Sequence, residues 1–318
     1  MADQVTIREV GPRDGLQMAK SVMTTDAKIV WIAALVKAGL REIEVGSFVP
    51  PRLLPQMADS ADVVKAATGR PGLCVVALAP NLKGAQRAAE AGAHVVSVPV
   101  SVSEEHSQAN TRRSTAEALE EVRRMAQWLK TTAPQLRLEV GCSTAFGCSL
   151  VGEVPERKVV EVATTAIEFG AHSVVLADTV GYANPAAIRR RVNAVRAAIG
   201  SRLTGLHLHD TLGMGLANAA AGLEVGVRHF DGSLAGLGGC PYAPGASGNV
   251  TTEDLVFMLE EMGFDTGIDL ELLLEARGYL QRNLADEQLH GSLARAGFPK
   301  TWRQVRGLRS RQANPSRP

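Results

Sequence analysis

Four cysteines in 318 residues, Cys74, Cys142, Cys148 and Cys240, include no Cys-x-x-Cys pair. That leaves no Cys-x-x-Cys metal or redox motif, and reduced thiols in a cytoplasmic setting are expected. Aromatic residues make up only 4% of the chain and the formal net charge is +1. A near-neutral chain without a basic stripe interleaved with aromatics lacks the footprint of a nucleic-acid binder. No apolar run approaches the ~18 residues that a membrane span requires. Residues 1–4 lead straight into an apolar strand pattern, so no signal or transit segment is expected, and the final Pro-Ser-Arg-Pro does not read as a peroxisomal address. Neither nucleic acid nor membrane is an expected partner.

What the chain does have is 45% hydrophobic and 21% charged residues, the balance of an ordinary globular protein with ample material for a core. Its length fits two domains or one large barrel. Strand patterns at 5–10, 43–45, 73–78, 95–100, 136–140, 173–176, 203–209 and 229–233 alternate with helix patterns, among them 25–38, 114–131, 155–169, 185–199 and 216–225. Such alternation implies parallel strands with crossover helices, and continuous apolar strands suit a sheet covered on both faces. The expected fold is an α/β (β/α)₈ TIM barrel over residues 1–285, with extra closing helices at 251–262 and 270–283. Residues 286–318 form a basic tail, expected to be partly disordered.

In such a barrel the active site lies at the C-terminal ends of the strands, and polar residues collect there. His207 and His209 are two apart, so both imidazoles share one face of strand seven and could clamp an ion. Asp14, after strand one, is a candidate third ligand, and Asn249 could add an amide oxygen. Two nitrogens, a carboxylate, an amide oxygen and waters suit Mg²⁺ or Mn²⁺. Arg13 offers a cation to a developing oxyanion. Glu44, between Ile43 and Val45, is expected to pair with Arg13 or another cation if it points inward. Asp178 ends an apolar strand and could act as acid, base or orienter. The run from Ser233 to Asn249 holds Cys240 among Gly236, Gly238, Gly239, Gly245 and Gly248; its glycines free the backbone to approach a ligand closely. A flexible linker with an incidental cysteine is the plainer reading, but Tyr242, two prolines and a terminal Asn argue against it.

Glu9-Val10-Gly11-Pro12-Arg13-Asp14-Gly15-Leu16-Gln17, Pro80-Asn81-Leu82-Lys83-Gly84, His207-x-His209-Asp210-Thr211 and the Cys240 loop together resemble the 3-hydroxy-3-methylglutaryl-CoA lyase family. The similarity runs in register from about residue 5 to 283. It implies Asp14, His207, His209 and Asn249 as ligands of Mg²⁺ or Mn²⁺, and Cys240 as a catalytic acid/base. Arg13 would support the enolate oxygen, Glu44 and Asp178 would fall on active-site positions, and Gln17 and Lys83 would bind substrate. The implied reaction is a retro-Claisen cleavage of an acyl-CoA thioester, giving acetyl-CoA and acetoacetate, a step of leucine degradation, in a homodimer or higher homo-oligomer. The chain departs from the family pattern at Ser149-Leu150-Val151-Gly152 and Leu212-Gly213-Met214, where apolar groups replace polar ones near the expected acyl pocket. A related thioester, citramalyl-CoA or a longer branched 3-hydroxyglutaryl-CoA, is therefore an alternative substrate. A metal-dependent hydrolase also uses His-x-His on a barrel, though usually after the first strand rather than the seventh.

Overall fold

The computed structural model describes residues 3–239 and 248–302; Cys240 and the basic positions Arg303, Arg306, Arg309 and Arg311 lie outside the described residues. Eight strands form a closed parallel barrel: β1 (Thr6–Glu9), β2 (Glu42–Ser47), β3 (Cys74–Leu78), β4 (Val95–Ser101), β5 (Arg137–Ser143), β6 (Ser173–Asp178), β7 (Leu203–Leu208) and β8 (His229–Gly232). Closure is direct, because β1 pairs with both β2 and β8. The TIM barrel expected from the sequence is the fold observed.

The outward strand faces carry the main core, in which Val75, Leu138, Leu176, Leu206 and Phe230 are fully buried against the helical layer. The helix Thr25–Lys37 shows how the sequence builds that layer. Thr24 accepts the Ala27 N–H as N-cap, while Trp31, Ile32 and Leu35 fall on one face and are buried. Truncating a fully buried Trp31 or Phe230 to alanine is expected to cost about 3–5 kcal/mol, the range for large aromatic cores.

The inward faces depart from the aliphatic layers usual in this architecture. Arg8 from β1 forks onto Glu139 of β5 at 2.5 and 3.0 Å, and its Nε donates to Glu42 of β2 at 2.7 Å. Asp231 of β8 lies 3.9 Å from Arg8. Burial works against the Arg8 charge, but the three carboxylates around it hold its pKa well above the ordinary value. An unpaired ion here would be very costly; the network forms a polar floor across the barrel.

Boundaries differ from the sequence expectation where they bear on function. β5 runs on to Ser143 and β6 to Asp178, while β7 stops at Leu208 and leaves His209 just beyond it. Residues 286–302 are not a loose tail. Ser292 and Leu293 donate backbone N–H groups to Asp254, and Trp302 stacks on Phe298 at 5.6 Å and packs against Phe257 at 5.3 Å. The folded unit thus extends at least to Trp302, because Leu293, Phe298 and Trp302 supply apolar surface, and most of the basic residues that mark the tail, Arg303 onward, come after it.

Candidate active site and metal centre

At the end of β1 the chain enters a tight five-residue π-helical turn, Gly11–Gly15, which carries Arg13 and Asp14. The N–H groups of Arg13, Asp14 and Gly15 all converge on the Val10 carbonyl. Pro12 sits in the first turn, where its missing N–H costs nothing. Gly11 is required by close approach: a Cβ there would lie 2.5 Å from Glu9 Oε1. The turn aims both charged side chains into the barrel mouth.

Asp14 is the hub. Its Oδ1 accepts from Arg13 at 2.5 Å and from the Gln17 amide at 3.0 Å, and its Oδ2 accepts from the Asn249 amide at 2.8 Å. The same Arg13 donates through Nε to Glu44 Oε2 at 2.6 Å. Glu44 thus points inward, which the sequence left open, and it meets Arg13, the pairing expected of an inward acid; Glu44 Oε1 stays buried without a hydrogen-bond partner among the described residues.

His207 and His209 converge on Asp14. Their Nε2 atoms lie 3.1 Å apart, and His207 Nε2 is 3.9 Å from Asp14 Oδ2. One ligand atom from each of Asp14, His207 and His209 falls within 4.8 Å of the others. On the far side of its ring, His207 donates its Nδ1–H to Asp231 Oδ2 at 3.1 Å. That bond directs the Nε2 lone pair toward Asp14 and His209, the arrangement by which an outer carboxylate orients a metal-bound imidazole.

The electrostatics fit a divalent cation. Within the barrel two guanidiniums, Arg8 and Arg13, face five carboxylates: Asp14, Glu42, Glu44, Glu139 and Asp231. Burial would raise the Asp14 pKa, but Arg13 and the two imidazoles bring it down to about 2, so it is a carboxylate at any working pH. Burial, reinforced by His207, pushes His209 down to about 3 and keeps its ring neutral. Burial also opposes the charged form of His207, but Asp231 overcomes it and raises the pKa. Facing Nε2 atoms and an ionised Asp14 therefore draw positive charge to one point, the donor set of a hard-to-borderline metal.

The base of the Cys240 loop is built onto this centre. His209 pairs with Asn249 across a single bridge, and the Asp210 N–H donates to the Gly248 carbonyl at 2.9 Å. Gly238 and Gly248 are pressed together: at Gly248, where φ is +88°, a Cβ would sit 2.7 Å from the Gly238 oxygen. Below them Glu9 accepts from Gly11, Leu234 and Thr252, and Glu253 accepts the N–H of Ala235, a non-glycine residue at φ 61°. Burial pushes both carboxyls up to about 7. The two acids hold the strained start of the loop.

Two sequence candidates stand apart from this centre. Asp178 pairs with Leu208, so it shares the face opposite to His207. It is fully buried and accepts the backbone N–H groups of Tyr182 and Ala183. Burial pushes it up to about 6 against those donors and the charge of His207. Its observed contacts are with the loop after β6, not with the Asp14 cluster. Lys83 is exposed in the first turn of the helix Leu82–Ala91, and Gln17 is bound to Asp14. Sequence reasoning missed Asp231, Arg8 and Glu139. An acid between Phe230 and Gly232, two residues from the inward His229, was the available signal for Asp231.

Among curated proteins, the chain is 41% identical over 281 residues to hydroxymethylglutaryl-CoA lyase YngG of Bacillus subtilis (strain 168), covering 88% of this chain and 93% of the relative. It is 43% identical over 277 residues to the mitochondrial hydroxymethylglutaryl-CoA lyase of Mus musculus, covering 87% of this chain and 85% of that one. A solved HMG-CoA lyase from Acenitobacter baumannii, in complex with coenzyme A and 3-methylmalate, superposes with a TM-score of 0.87 at 41% identity, over 94% of this chain and 96% of that one. The HMGL-like family model matches residues 4–279, and the chain belongs to that family of carbon–carbon lyases.

Proposed function

We propose that this enzyme cleaves 3-hydroxy-3-methylglutaryl-CoA to acetyl-CoA and acetoacetate with the help of Mg²⁺ or Mn²⁺. The observation that carries the reading is the convergence of Asp14, His207 and His209 beside the Arg13 cation at the barrel mouth of an HMGL-like chain. Asn249, whose amide nitrogen is given to Asp14, has its oxygen left as a fourth ligand. When bound, the ion would supply the Lewis-acid charge that acidifies the substrate's tertiary hydroxyl.

This chain's own residues supply the rest. A base takes the hydroxyl proton, the C2–C3 bond breaks, and its electron pair passes into an enolate on the thioester. Arg13, fixed by Glu44, places its guanidinium against that developing oxyanion. Glu44 Oε1, buried and without a partner among the described residues, is positioned to hold a proton during the exchange. Cys240 returns a proton to the enolate carbon. Asp178 acts indirectly by fixing the loop after β6. Lys83, exposed beside the mouth, suits the phosphates of coenzyme A. Mass detection of acetyl-CoA from the methyl substrate with Mg²⁺, abolished by chelator, tests the reading; no product under any divalent ion would overturn it.

Two further results are expected. Calorimetric titration of Mn²⁺ into the metal-free protein should show one site, lost in His209→Ala; an unchanged isotherm would remove His209 from the centre. Asp231→Asn should keep the fold but weaken Mn²⁺ binding by about 10–100-fold, the usual effect of losing an orienting partner. Wild-type affinity in that variant would show that the 3.1 Å contact does not orient His207.

A further inference from the structure

The barrel interior has two unlike halves. Around Asp14 it is charged, with side chains from β1, β2, β7 and β8. On β4, β5 and β6, above the Arg8–Glu139 floor, the inward residues are small or apolar. The register pairs Ser97 with Glu139, Pro99 with Gly141, Gly141 with Val175, and Ala177 with His207. Register partners share a face and alternate residues return to it. Gly141 therefore lies on the face of Glu139, whose carboxylate grips Arg8 inside the barrel, and Ala177 lies on the face of His207.

Gly141 is half-buried between two fully buried neighbours, Val140 and Cys142. A Cβ built on it would meet no heavy atom of the described residues within 4 Å. Gly205, inward on β7, is the contrast: its Cβ would lie 2.9 Å from the His229 carbonyl. Nor does the backbone require glycine at 141, which is not among the positive-φ residues. What the missing side chain leaves is space, walled by Pro99 and Val175.

The rim above the same strands is apolar too. The loop after β5 closes a short hairpin between Cys148 and Gly152, which exposes Leu150 and Val151. Tyr182, from the loop after β6, packs against Gly147, and Leu212, after β7, is 60% exposed. Exposed apolar residues gathered at the mouth of a cleft mark a surface that receives an apolar ligand group. Leu150, Tyr182 and Leu212 stand on the loops after β5, β6 and β7, consecutive strands of the barrel, and the first of these carries Gly141.

We propose that this half of the barrel is an acyl subsite, and that the chain cleaves 3-hydroxyglutaryl-type CoA thioesters whose C3 substituent is an apolar chain of several carbons. The inference rests on the lyase reading above and extends it to a substrate class. The chemistry balances as for the methyl compound: the C3 hydroxyl loses its proton, the C2–C3 bond breaks toward C2, and the enolate is reprotonated to acetyl-CoA. The other product is a 3-oxo acid that carries the longer chain; no oxidant or reductant is consumed. Each methylene that moves from water onto the Pro99–Val175 wall favours the longer substrate by about fourfold in kcat/KM.

The test compares the full-length Mn²⁺-loaded enzyme on the methyl thioester and on its homologue with a C3 pentyl chain, both products read by mass spectrometry. Wild type is expected to cleave the pentyl compound with a kcat/KM at least equal to that for the methyl compound. Gly141→Leu fills the space and should lower the pentyl-to-methyl ratio by ~10², four methylenes at about fourfold each; Gly141→Ala, a smaller intrusion, should lower it less. A hundredfold preference of the wild type for methyl overturns the proposal. So does an equal loss on both substrates in Gly141→Leu, since the space would then serve the thioester arm common to both. Failure of wild type on both compounds sinks the lyase reading itself, a result distinct from either.

Discussion

Arg13→Gln is expected to lower kcat by ~10²-fold or more while KM and the fold change little. The guanidinium is shared between two carboxylates, Glu44 and Asp14, each 2.5 Å away. Burial opposes its charge, but those carboxylates raise its pKa, so it remains a cation throughout turnover. In the resting site that charge is already neutralised, and a bound thioester carbonyl gains little from it. The benefit grows as negative charge develops on the enolate oxygen, so the loss should fall on kcat. Glutamine keeps a hydrogen-bond donor near the same place but not the charge. Glu44 would lose its partner, yet burial already raises its pKa, and it can take up a proton rather than remain an isolated buried ion. Asp14 keeps Gln17, Asn249 and the imidazoles. The variant should therefore fold, with circular dichroism and Mn²⁺ affinity near wild type. Steady-state acetyl-CoA formation at unchanged kcat in a folded, metal-binding variant would reject the assignment.

The parts of this site that were legible in the sequence are those whose geometry is local. Two histidines two residues apart in a strand must share a face, and Arg13-Asp14 after a strand must lie at the barrel mouth once the strand count reaches eight. Glu44 between Ile43 and Val45 could face inward or outward, but an inward acid needed a cation, and Arg13 meets it. The unread parts depend on register between distant strands. Arg8, Glu139 and Asp231 stand 131 and, for His207 and Asp231, 24 residues from the groups they hold. No pattern within one strand shows that an arginine on β1 faces a glutamate on β5. Strand length decided Asp178: the two residues by which β6 outruns the sequence expectation also bring it into register with Leu208, away from His207. Gly141 and Gly205 look alike as strand glycines, yet one faces open space and the other a carbonyl at 2.9 Å. The segment 286–302 was grouped with the tail because the arginines from Arg303 onward gave the whole stretch a basic look, while the apolar residues that dock it, Leu293, Phe298 and Trp302, are spaced without a clear period.

Cys240→Ser should keep the fold and the metal affinity and lose most of the turnover. Cys240 lies outside the described residues, but the stem of its loop does not. Gly238 sits against the Asn249 amide, which is 2.8 Å from Asp14 Oδ2, and the Leu237 carbonyl accepts the Ser233 hydroxyl at 2.6 Å. Two residues of chain span at most ~7 Å, so a thiol two positions past Gly238 has the reach to serve a reaction at Asp14. A free cysteine loses its proton near ~8.5, and a cation or metal ion brought close to it would draw that toward neutrality, where proton exchange with a carbon acid is efficient. Serine, nearly the same size, is a far weaker acid and cannot make that exchange. Because Glu9 and Glu253 fix the stem from below, the substitution leaves the anchor contacts untouched. Alkylation of the wild type should inactivate it, and bound substrate should protect it. If the thiol merely packs, Cys240→Ser will lower the melting temperature slightly and leave kcat near wild type on the best substrate. That outcome would take proton transfer away from Cys240 and leave Glu44, whose Oε1 has no partner among the described residues, as the group to test next.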